Sequence, residues 1–257
     1  MAGILETRGL TKTFGAVTAA ADLDVELAEH SVVGLIGGNG AGKTTFINLV
    51  TGYLKPSAGS IRFDGRDITS LGPRQVTRLG LCRSFQIPQL FDTLTAWENL
   101  LVGLGIVAHG KGAFRSALEG ERPQQAADDV LARFRLEGWR DVAASVMPEG
   151  VRKLLDIAMA MVVKPRLLLL DEPTSGVSSE EKFALMDLVL SAIKAERTTV
   201  LFVEHDMEIV RRYTERVLAF YDGRVIADGP PADVLDNPDV RKYVVGVEAP
   251  RPGGVPC

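Results

Sequence analysis

The sequence predicts an α/β protein with a mainly parallel central sheet, an N-terminal antiparallel β-subdomain and an inserted helical subdomain. Three features indicate this fold. Apolar runs in SVVGLIG, RLLLLDE and TTVLFVEHD are typical of strands buried on both faces. Segments with helical spacing separate strands, and this alternation favours a parallel sheet covered by helices. From about Thr95 to Ala144 the spacing is mostly helical, which predicts the insertion.

The N-terminal elements follow from local patterns. Leu23, Val25 and Leu27 alternate with acidic residues, which predicts a half-buried strand. A helix is expected over FINLVTG, whose terminal Gly52 suits a helix C-cap. KPSAGSIRFDGRDIT combines two turn signals with alternating apolar residues and predicts a small antiparallel hairpin.

The remaining elements are predicted in the same way. AWENLLVGLGIV, QQAADDVLARF and EEKFALMDLVLSAIKAE have helical spacing, and GKGAFRSALEGERP is expected to be a loop. VLAFYDGRVIADG predicts a hairpin turning at Asp222-Gly223, and PADVLDNPDVRKYVVG a short helical tail. VEAPRPGGVPC is expected to be disordered.

Composition limits the possible partners. The net charge of −4 over 257 residues provides no general attraction to nucleic acid or anionic lipid. The two cysteines, Cys82 and Cys257, do not suggest a disulfide framework, and no secretory signal pattern is present, so a reducing compartment is expected. The apolar run from Leu100 to Ala108 is about half the roughly 20 residues that a membrane helix needs. A membrane role would therefore depend on a partner protein.

A phosphate-binding loop is the strongest chemical signal. GGNGAGKTT fits G-x-x-x-x-G-K-[ST] and lies between a predicted buried strand and a helix. Its backbone N–H groups would surround the phosphates of ATP, Lys43 would bridge the β- and γ-phosphates, and the Thr44 hydroxyl would ligate Mg²⁺. The loop residues are Gly37, Gly38, Asn39, Gly40, Ala41, Gly42, Lys43, Thr44 and Thr45.

Two carboxylates at the end of LLLLDE complete the predicted chemistry. Successive side chains of a strand point in opposite directions. Asp171 is therefore expected to face the Mg²⁺ shell, while Glu172 addresses a water molecule.

GGNGAGKTT, SFQ, LLLLDEPTSG and VEHD, in this order and spacing, resemble the ATP-binding subunits of ABC transporters. The resemblance implies a P-loop NTPase core and one ATPase domain over residues 1–246. It also implies a helical subdomain over about residues 88–146 and a flexible tail over residues 247–257.

The resemblance also implies functions for single residues. Phe14 would stack on adenine with Val17 packed beside it, and Gln86 would complete the metal and water shell and sense the membrane subunit. Glu172 would be the general base, and His205 would hold the γ-phosphate. With Lys43 these residues form the predicted catalytic set, while Thr44, Gln86 and Asp171 form the predicted metal site.

Within the family, the segments NLVTGYLKPSAGSIRFDGRDIT and SFQIPQLFDTLTAWENLLVGL most resemble ATPases of branched-chain amino-acid importers. This implies permease subunits, a second ATPase subunit, a periplasmic solute-binding protein and a position at the cytoplasmic face of the membrane. Export or lipopolysaccharide extraction is one alternative. A soluble ATPase acting on nucleic acid or ribosomes is another, although such proteins usually carry two cassettes or long coiled-coil insertions.

MPEGV stands where the family usually carries LSGGQ or LSYGQ, the signature segment that completes the ATP site of the opposite subunit. Pro148 suits the first turn of a helix, Glu149 suits a helix N-terminus, and Gly150 permits close approach of a phosphate. The family's serine hydroxyl is missing, and Ser178 replaces a frequent aspartate. We expect this segment to act as a weak lid, that is, a surface that closes the ATP site of a partner subunit, in a heterodimer. A homodimer is one alternative, and a segment that serves only as a helix cap is another.

The buried stripe of the following helix is predicted to consist of Leu154, Ile157, Ala158 and Met161.

Overall fold

The computed structural model describes residues 3–84, 89–108 and 121–246. A six-stranded sheet has the order β10-β9-β3-β8-β7-β6, in which β9, β3, β8, β7 and β6 run parallel and β10 is an antiparallel edge strand. The prediction of a mainly parallel sheet is confirmed. The strands are β3 Val32–Gly37, β6 Leu81–Arg83, β7 Leu167–Asp171, β8 Thr199–Val203, β9 Arg216–Tyr221 and β10 Arg224–Gly229.

A second, antiparallel sheet near the N-terminus has the order β2-β1-β4-β5. The predicted alternation on β2 is confirmed, because Leu23, Val25 and Leu27 are buried between exposed acidic residues. The predicted hairpin corresponds to β4 and β5. These strands are β1 Leu5–Phe14, β2 Val17–Leu27, β4 Ala58–Phe63 and β5 Arg66–Asp67.

Helices connect the parallel strands and form the insertion. Their bounds are α1 Lys43–Val50, α2 Pro73–Arg78, α3 Ala96–Ala108, α4 Glu121–Arg133, α5 Glu149–Met161, α6 Lys182–Ala195, α7 Met207–Tyr213, α8 Pro231–Asp236 and α9 Pro238–Val240. Short 3₁₀ turns span Glu137–Trp139 and Ala144–Val146, and a π-helical turn spans Arg241–Val245.

The central strands are apolar throughout because both faces of the sheet are covered. On β7, Leu168 and Leu170 pack into one hydrophobic cluster, whereas Leu167 and Leu169 pack into a second cluster. The side chains of a strand alternate between faces, so a strand buried on both faces has no polar side. This accounts for the continuous apolar run in the sequence.

Three local predictions are wrong. Glu121 to Pro123 were expected in a loop but begin α4, where a proline in the first turn removes no required hydrogen bond. Pro148 is the N-cap of α5 rather than part of its first turn. Leu154 is half-buried whereas Leu155 is fully buried, so the buried stripe is rotated from the predicted one, although it keeps Ile157, Ala158 and Met161.

Some predictions lie outside the described residues. These are the placement of Gln86, most of the loop from residue 110 to 123 and the tail over residues 247–257. Within the described residues, no helix is both long and apolar enough to cross a membrane.

Thr7 stabilises an irregular part of the antiparallel sheet. Its buried hydroxyl donates to the Leu23 carbonyl oxygen at 2.8 Å and accepts from the Val25 N–H at 3.0 Å. The register of β1 against β2 shifts between Thr7 and Leu10, so the side chain supplies hydrogen bonds where the backbone pairing is interrupted.

We expect Thr7→Val to lower the free energy of unfolding by about 1–3 kcal/mol, because the shape is kept while buried polar groups lose this partner. Thr7→Ser keeps the hydroxyl and loses one methyl group, which costs about 1 kcal/mol. Urea unfolding followed by circular dichroism measures both values. A Val variant as stable as wild type would show that the hydroxyl contributes nothing.

Candidate functional site

The candidate site lies where the parallel strands end. The phosphate-binding loop follows β3, Asp171 ends β7, and Val203 at the end of β8 leads to His205. β8 lies between β3 and β7 and is parallel to both. Carboxyl ends of parallel strands lie at one edge of a sheet, where open α/β sheets bind ligands. The fold therefore brings together segments that are far apart in the sequence.

The loop from Gly37 to Thr45 adopts a conformation that requires glycine at Gly42. Gly42 has φ of 101°, and a β-carbon there would lie 2.6 Å from the Ala19 carbonyl oxygen. Helix α1 begins at the next residue, Lys43. The first N–H groups of a helix have no intrahelical acceptor and favour an anion such as a phosphate.

Lys43 is buried at the centre of this loop. Its Nζ donates to the carbonyl oxygens of Gly37 at 2.6 Å and Gly38 at 3.0 Å. Burial lowers the pKa of Lys43, and the charges of Glu172 and Asp171 oppose that shift. The ammonium group is therefore held in the loop and interacts electrostatically with both predicted carboxylates.

Asp171 is fixed by a basic residue that the sequence analysis did not single out. Arg83 Nη2 lies 2.6 Å from Asp171 Oδ2, and Arg83 Nη1 donates to Asn48 Oδ1 at 2.7 Å. Arg83 ends β6, which pairs with β7. Asn48 belongs to α1, so this contact joins the helix after the phosphate-binding loop to the strand that carries Asp171.

Glu172 faces His205. Its Oε1 lies 2.9 Å from His205 Nε2, which is placed to donate. The alternation of side chains along β7 does not extend to Glu172, because the strand ends at Asp171 and Glu172 has φ of 50°. A left-handed conformation is uncommon for a residue with a side chain. The turn of the backbone, rather than strand alternation, sets the direction of the Glu172 side chain.

The Glu204 carboxylate stabilises this turn through hydrogen bonds. It is almost fully buried, and its Oε1 accepts from the Thr174 N–H at 3.0 Å and from the Thr174 hydroxyl at 2.7 Å. Its Oε2 accepts from the His205 N–H at 3.2 Å. Glu204 was not predicted as a site residue, although a carboxylate directly after a buried apolar strand is a signal that could have identified it.

One cleft of about 340 Å³ is lined by Lys43, Asp171, Glu172 and His205, together with other residues of the phosphate-binding loop. Hydroxyl and carboxylate oxygens are suitable Mg²⁺ ligands, and the cleft contains both the Thr44 hydroxyl and the Asp171 carboxylate. Among the described residues no cluster of three or more His, Cys, Asp or Glu side chains could hold a metal by itself. Mg²⁺ commonly takes a few protein ligands together with substrate phosphates. The lining residues are Ala19, Asn39, Gly40, Ala41, Gly42, Lys43, Thr44, Thr45, Asp171, Glu172, Val203 and His205.

Phe14 and Val17 lie at the tip of the β1–β2 hairpin, where they pair with each other across the turn. Both side chains are exposed, and Lys12 Nζ lies 5.1 Å from the centre of the Phe14 ring. Ala19, further along β2, lines the cleft. The hairpin therefore adjoins the phosphate-binding loop with an exposed aromatic ring available for stacking.

The signature segment forms the N-terminus of α5. Pro148 and Glu149 are exposed, and Gly150 is half-buried. The segment packs against the loop after Glu172, since a β-carbon on Gly176 would lie 3.4 Å from Glu149 Cγ. In that loop the Ser178 hydroxyl donates to Glu181 Oε2 at 2.9 Å, in the turn before α6.

Two glycines of the loop provide a matched test. Gly42→Ala places a β-carbon against backbone at a positive φ, so we expect ATP affinity to fall more than about 100-fold through displacement of the loop. A β-carbon on Gly38 would lie no closer than 3.9 Å to its nearest neighbour, so Gly38→Ala should change ATP affinity less than about threefold. Equilibrium binding of a fluorescent ATP analogue measures both values. Equal affinities for the two variants would contradict this account of the loop.

Comparison with known proteins agrees with this arrangement. The family model described as ABC transporter matches residues 20–175. The chain is 35% identical over 249 residues to BraF of Pseudomonas aeruginosa, a high-affinity branched-chain amino acid transport ATP-binding protein, covering 95% of this chain and 98% of BraF. It is 35% identical over 251 residues to the corresponding LivG protein of Escherichia coli K12, covering 95% and 98% of the two chains.

Solved structures show the same architecture. An ATP-binding cassette of an ABC transporter in its ADP conformation superposes with a TM-score of 0.83 at 29% identity, covering 94% of this chain and 98% of that chain. The cbiO1 subunit of Clostridium perfringens, part of an ABC transporter complex, gives a TM-score of 0.80 at 27% identity, covering 94% of both chains. With a matching family model and relatives similar over nearly its whole length, the chain belongs to the ABC transporter family, as an ATP-hydrolysing nucleotide-binding cassette.

Proposed function

We propose that this chain is an ATPase subunit of an importer for branched-chain amino acids or a related small polar solute. The observation that carries the proposal is the similarity to BraF and LivG over 95% of the chain. The subunit would act at the cytoplasmic face of the membrane, bound to permease subunits, and a periplasmic solute-binding protein would deliver the solute. The names of these relatives, branched-chain amino acid transport ATP-binding proteins, favour amino-acid transport over lipopolysaccharide extraction or a role on nucleic acid.

ATP hydrolysis would use the groups that meet in the cleft. Glu172 would accept a proton from the water that attacks the γ-phosphate, and His205, 2.9 Å from that carboxylate, would orient the base and contact the phosphate. Lys43 would leave the Gly37 and Gly38 carbonyl oxygens to bind the β- and γ-phosphates. Glu172, His205, Lys43 and Gln86 thus remain the proposed catalytic set.

Nucleotide and metal binding would use the surrounding residues. Thr44 and Asp171, with Gln86 outside the described residues, would hold Mg²⁺, which stabilises the charge that develops on the phosphates. The Arg83 ion pair would keep the Asp171 carboxylate oriented toward the cleft. Phe14 would stack on adenine beside Val17. The proposed ATPase domain spans residues 1–246.

Closure would require a second ATPase subunit, so that ATP lies between the two. Pro148, Glu149 and Gly150 would then approach the partner's nucleotide, while the partner's signature segment completes the site of this chain. The amides at the start of α5 are suited to a phosphate, but the exposed Glu149 carboxylate would oppose one. We propose a heterodimer in which this chain supplies the weaker lid.

Glu172→Gln tests the hydrolytic site. Removal of the general base should lower turnover of the assembled transporter by about 10²- to 10⁴-fold while ATP affinity stays within about threefold of wild type. The control is Glu180→Gln, which changes an exposed carboxylate in the same loop and should have no effect. Phosphate release and ATP binding are measured in parallel. Full turnover by Glu172→Gln would refute the proposed site.

Pro148→Ser tests the lid by restoring a hydroxyl at the signature segment. In the Glu172→Gln background, which should retain ATP, we expect this chain alone to remain monomeric. Adding Pro148→Ser should raise its ATP-dependent dimerisation constant roughly 10²- to 10⁴-fold, because a dimer of this chain closes two ATP sites and each gains a hydrogen bond to a charged group that contributes about 1.5–3 kcal/mol. Light scattering at saturating ATP measures the constant.

The control for the lid is Pro238→Ser, which makes the same change at the exposed start of α9. A stable ATP-bound dimer of Glu172→Gln without the added serine would support the homodimer instead, because MPEGV would then close a site by itself.

A further inference from the structure

We propose that Lys153 is a positioning residue for ATP hydrolysis: from helix α5 it fixes the backbone of Glu172 in the same chain. The helix that presents Pro148–Gly150 to a partner would thereby also set the geometry of its own general base. This inference rests on the proposed function, because it gives Lys153 a task only if Glu172 is the base.

The contact that carries the inference is buried. Lys153 is 4% exposed, and its Nζ donates to the Glu172 carbonyl oxygen at 3.1 Å. The same oxygen accepts from the Ser175 N–H at 3.1 Å. A lysine is almost never fully buried unless its charge is compensated, so this position needs a reason beyond solubility.

Glu172 needs such support because of its backbone conformation. Its φ of 50° is one that residues with side chains seldom adopt, and such conformations persist only when the surroundings enforce them. Its N–H donates to the Val203 carbonyl oxygen at 3.0 Å, so both backbone polar groups of Glu172 are held. The backbone angles set the direction of the Cα–Cβ bond, and therefore whether the carboxylate faces His205.

The charges around Lys153 connect it to the rest of the site. Burial lowers the pKa of Lys153, and several carboxylates oppose this shift. One is Glu204, whose buried side chain bonds both the Thr174 N–H and the His205 N–H. The ammonium thus compensates the buried negative charge of a side chain that bonds the backbone at both Thr174 and His205. The carboxylates acting on Lys153 are, in decreasing order of influence, Glu149, Glu204, Glu172 and Asp156.

Two residues close to Lys153 on α5 bond to the segment that leads into the helical subdomain. Arg152 Nη2 lies 2.7 Å from Asp92 Oδ1, and Asp156 Oδ1 accepts from the Gln89 N–H at 3.0 Å. Lys153 and Asp156 also line a small cavity with Ser84 and Glu172. A displacement of the helical subdomain would therefore reach Glu172 through α5 and the Lys153 contact.

The test compares Lys153→Met with Lys153→Arg in the assembled transporter. Met keeps the length and removes the charge, so we expect kcat to fall roughly 10- to 100-fold with KM and ATP affinity within about threefold of wild type, as for a misplaced catalytic group. Arg keeps a donor and should recover kcat to within about threefold of wild type. The control is Lys194→Met, which removes an exposed lysine from α6 and should change nothing.

The outcomes separate this inference from the proposed function. If Glu172→Gln turns over at the wild-type rate, the proposed hydrolytic function of the site fails. If Glu172→Gln loses turnover as expected and Lys153→Met turns over at the wild-type rate, only the Lys153 inference is overturned. It is also overturned if Lys153→Met loses ATP affinity or folded structure along with turnover, because the lysine would then be merely structural. An Arg variant as slow as the Met variant would overturn it as well.

Discussion

Strand β8 lies between β3 and β7, and its pairing with both determines where the functional segments meet. Val203 is paired with Leu35 on one side and with Asp171 on the other. The Glu172 N–H then donates to the Val203 carbonyl oxygen, which extends this pairing one residue past β7. A shift of the register by one residue would exchange the faces of all the side chains on the strand. The distance between Glu172 and His205 therefore depends on strand pairing as well as on the two side chains.

Much of the fold could be predicted from the sequence because its signals are local. The apolar runs, the glycines of the phosphate-binding loop and the Asp222-Gly223 turn each depend on a few adjacent residues. The order of strands in the sheet and the contact between Glu172 and His205 depend on pairing across long separations, which no local pattern specifies. The sequence motifs identified residues of the site, whereas the distances between them come only from the structure.

The residues that were missed have a common physical reason. Lys153 and Glu204 are charged residues in segments whose apolar pattern predicts only burial, and Arg83 ends a short strand, β6, which was not predicted from the sequence. Their importance depends on partners far away in sequence, such as Asp171 for Arg83 and the Glu172 carbonyl oxygen for Lys153. The buried stripe of α5 was misassigned at Leu154 for a related reason, because a buried lysine and a buried aspartate occupy part of the helix face that packs inward.

In the proposed closed dimer, the signature segment would stabilise its own helix but bind a partner's phosphate weakly. Glu149 near the helix N-terminus contributes about 0.3–1 kcal/mol to the helix, and the same negative charge disfavours an anion there. Pro148 at the N-cap, with φ of −56°, is suited to the start of a helix but has no hydroxyl. A hydroxyl bonded to a charged phosphate would contribute about 1.5–3 kcal/mol, which exceeds the gain from Glu149. Because each 1.4 kcal/mol changes an equilibrium constant about tenfold, this one missing group would be sufficient, in the heterodimer that we propose, to make the affinities of the two composite ATP sites differ by one to two orders of magnitude.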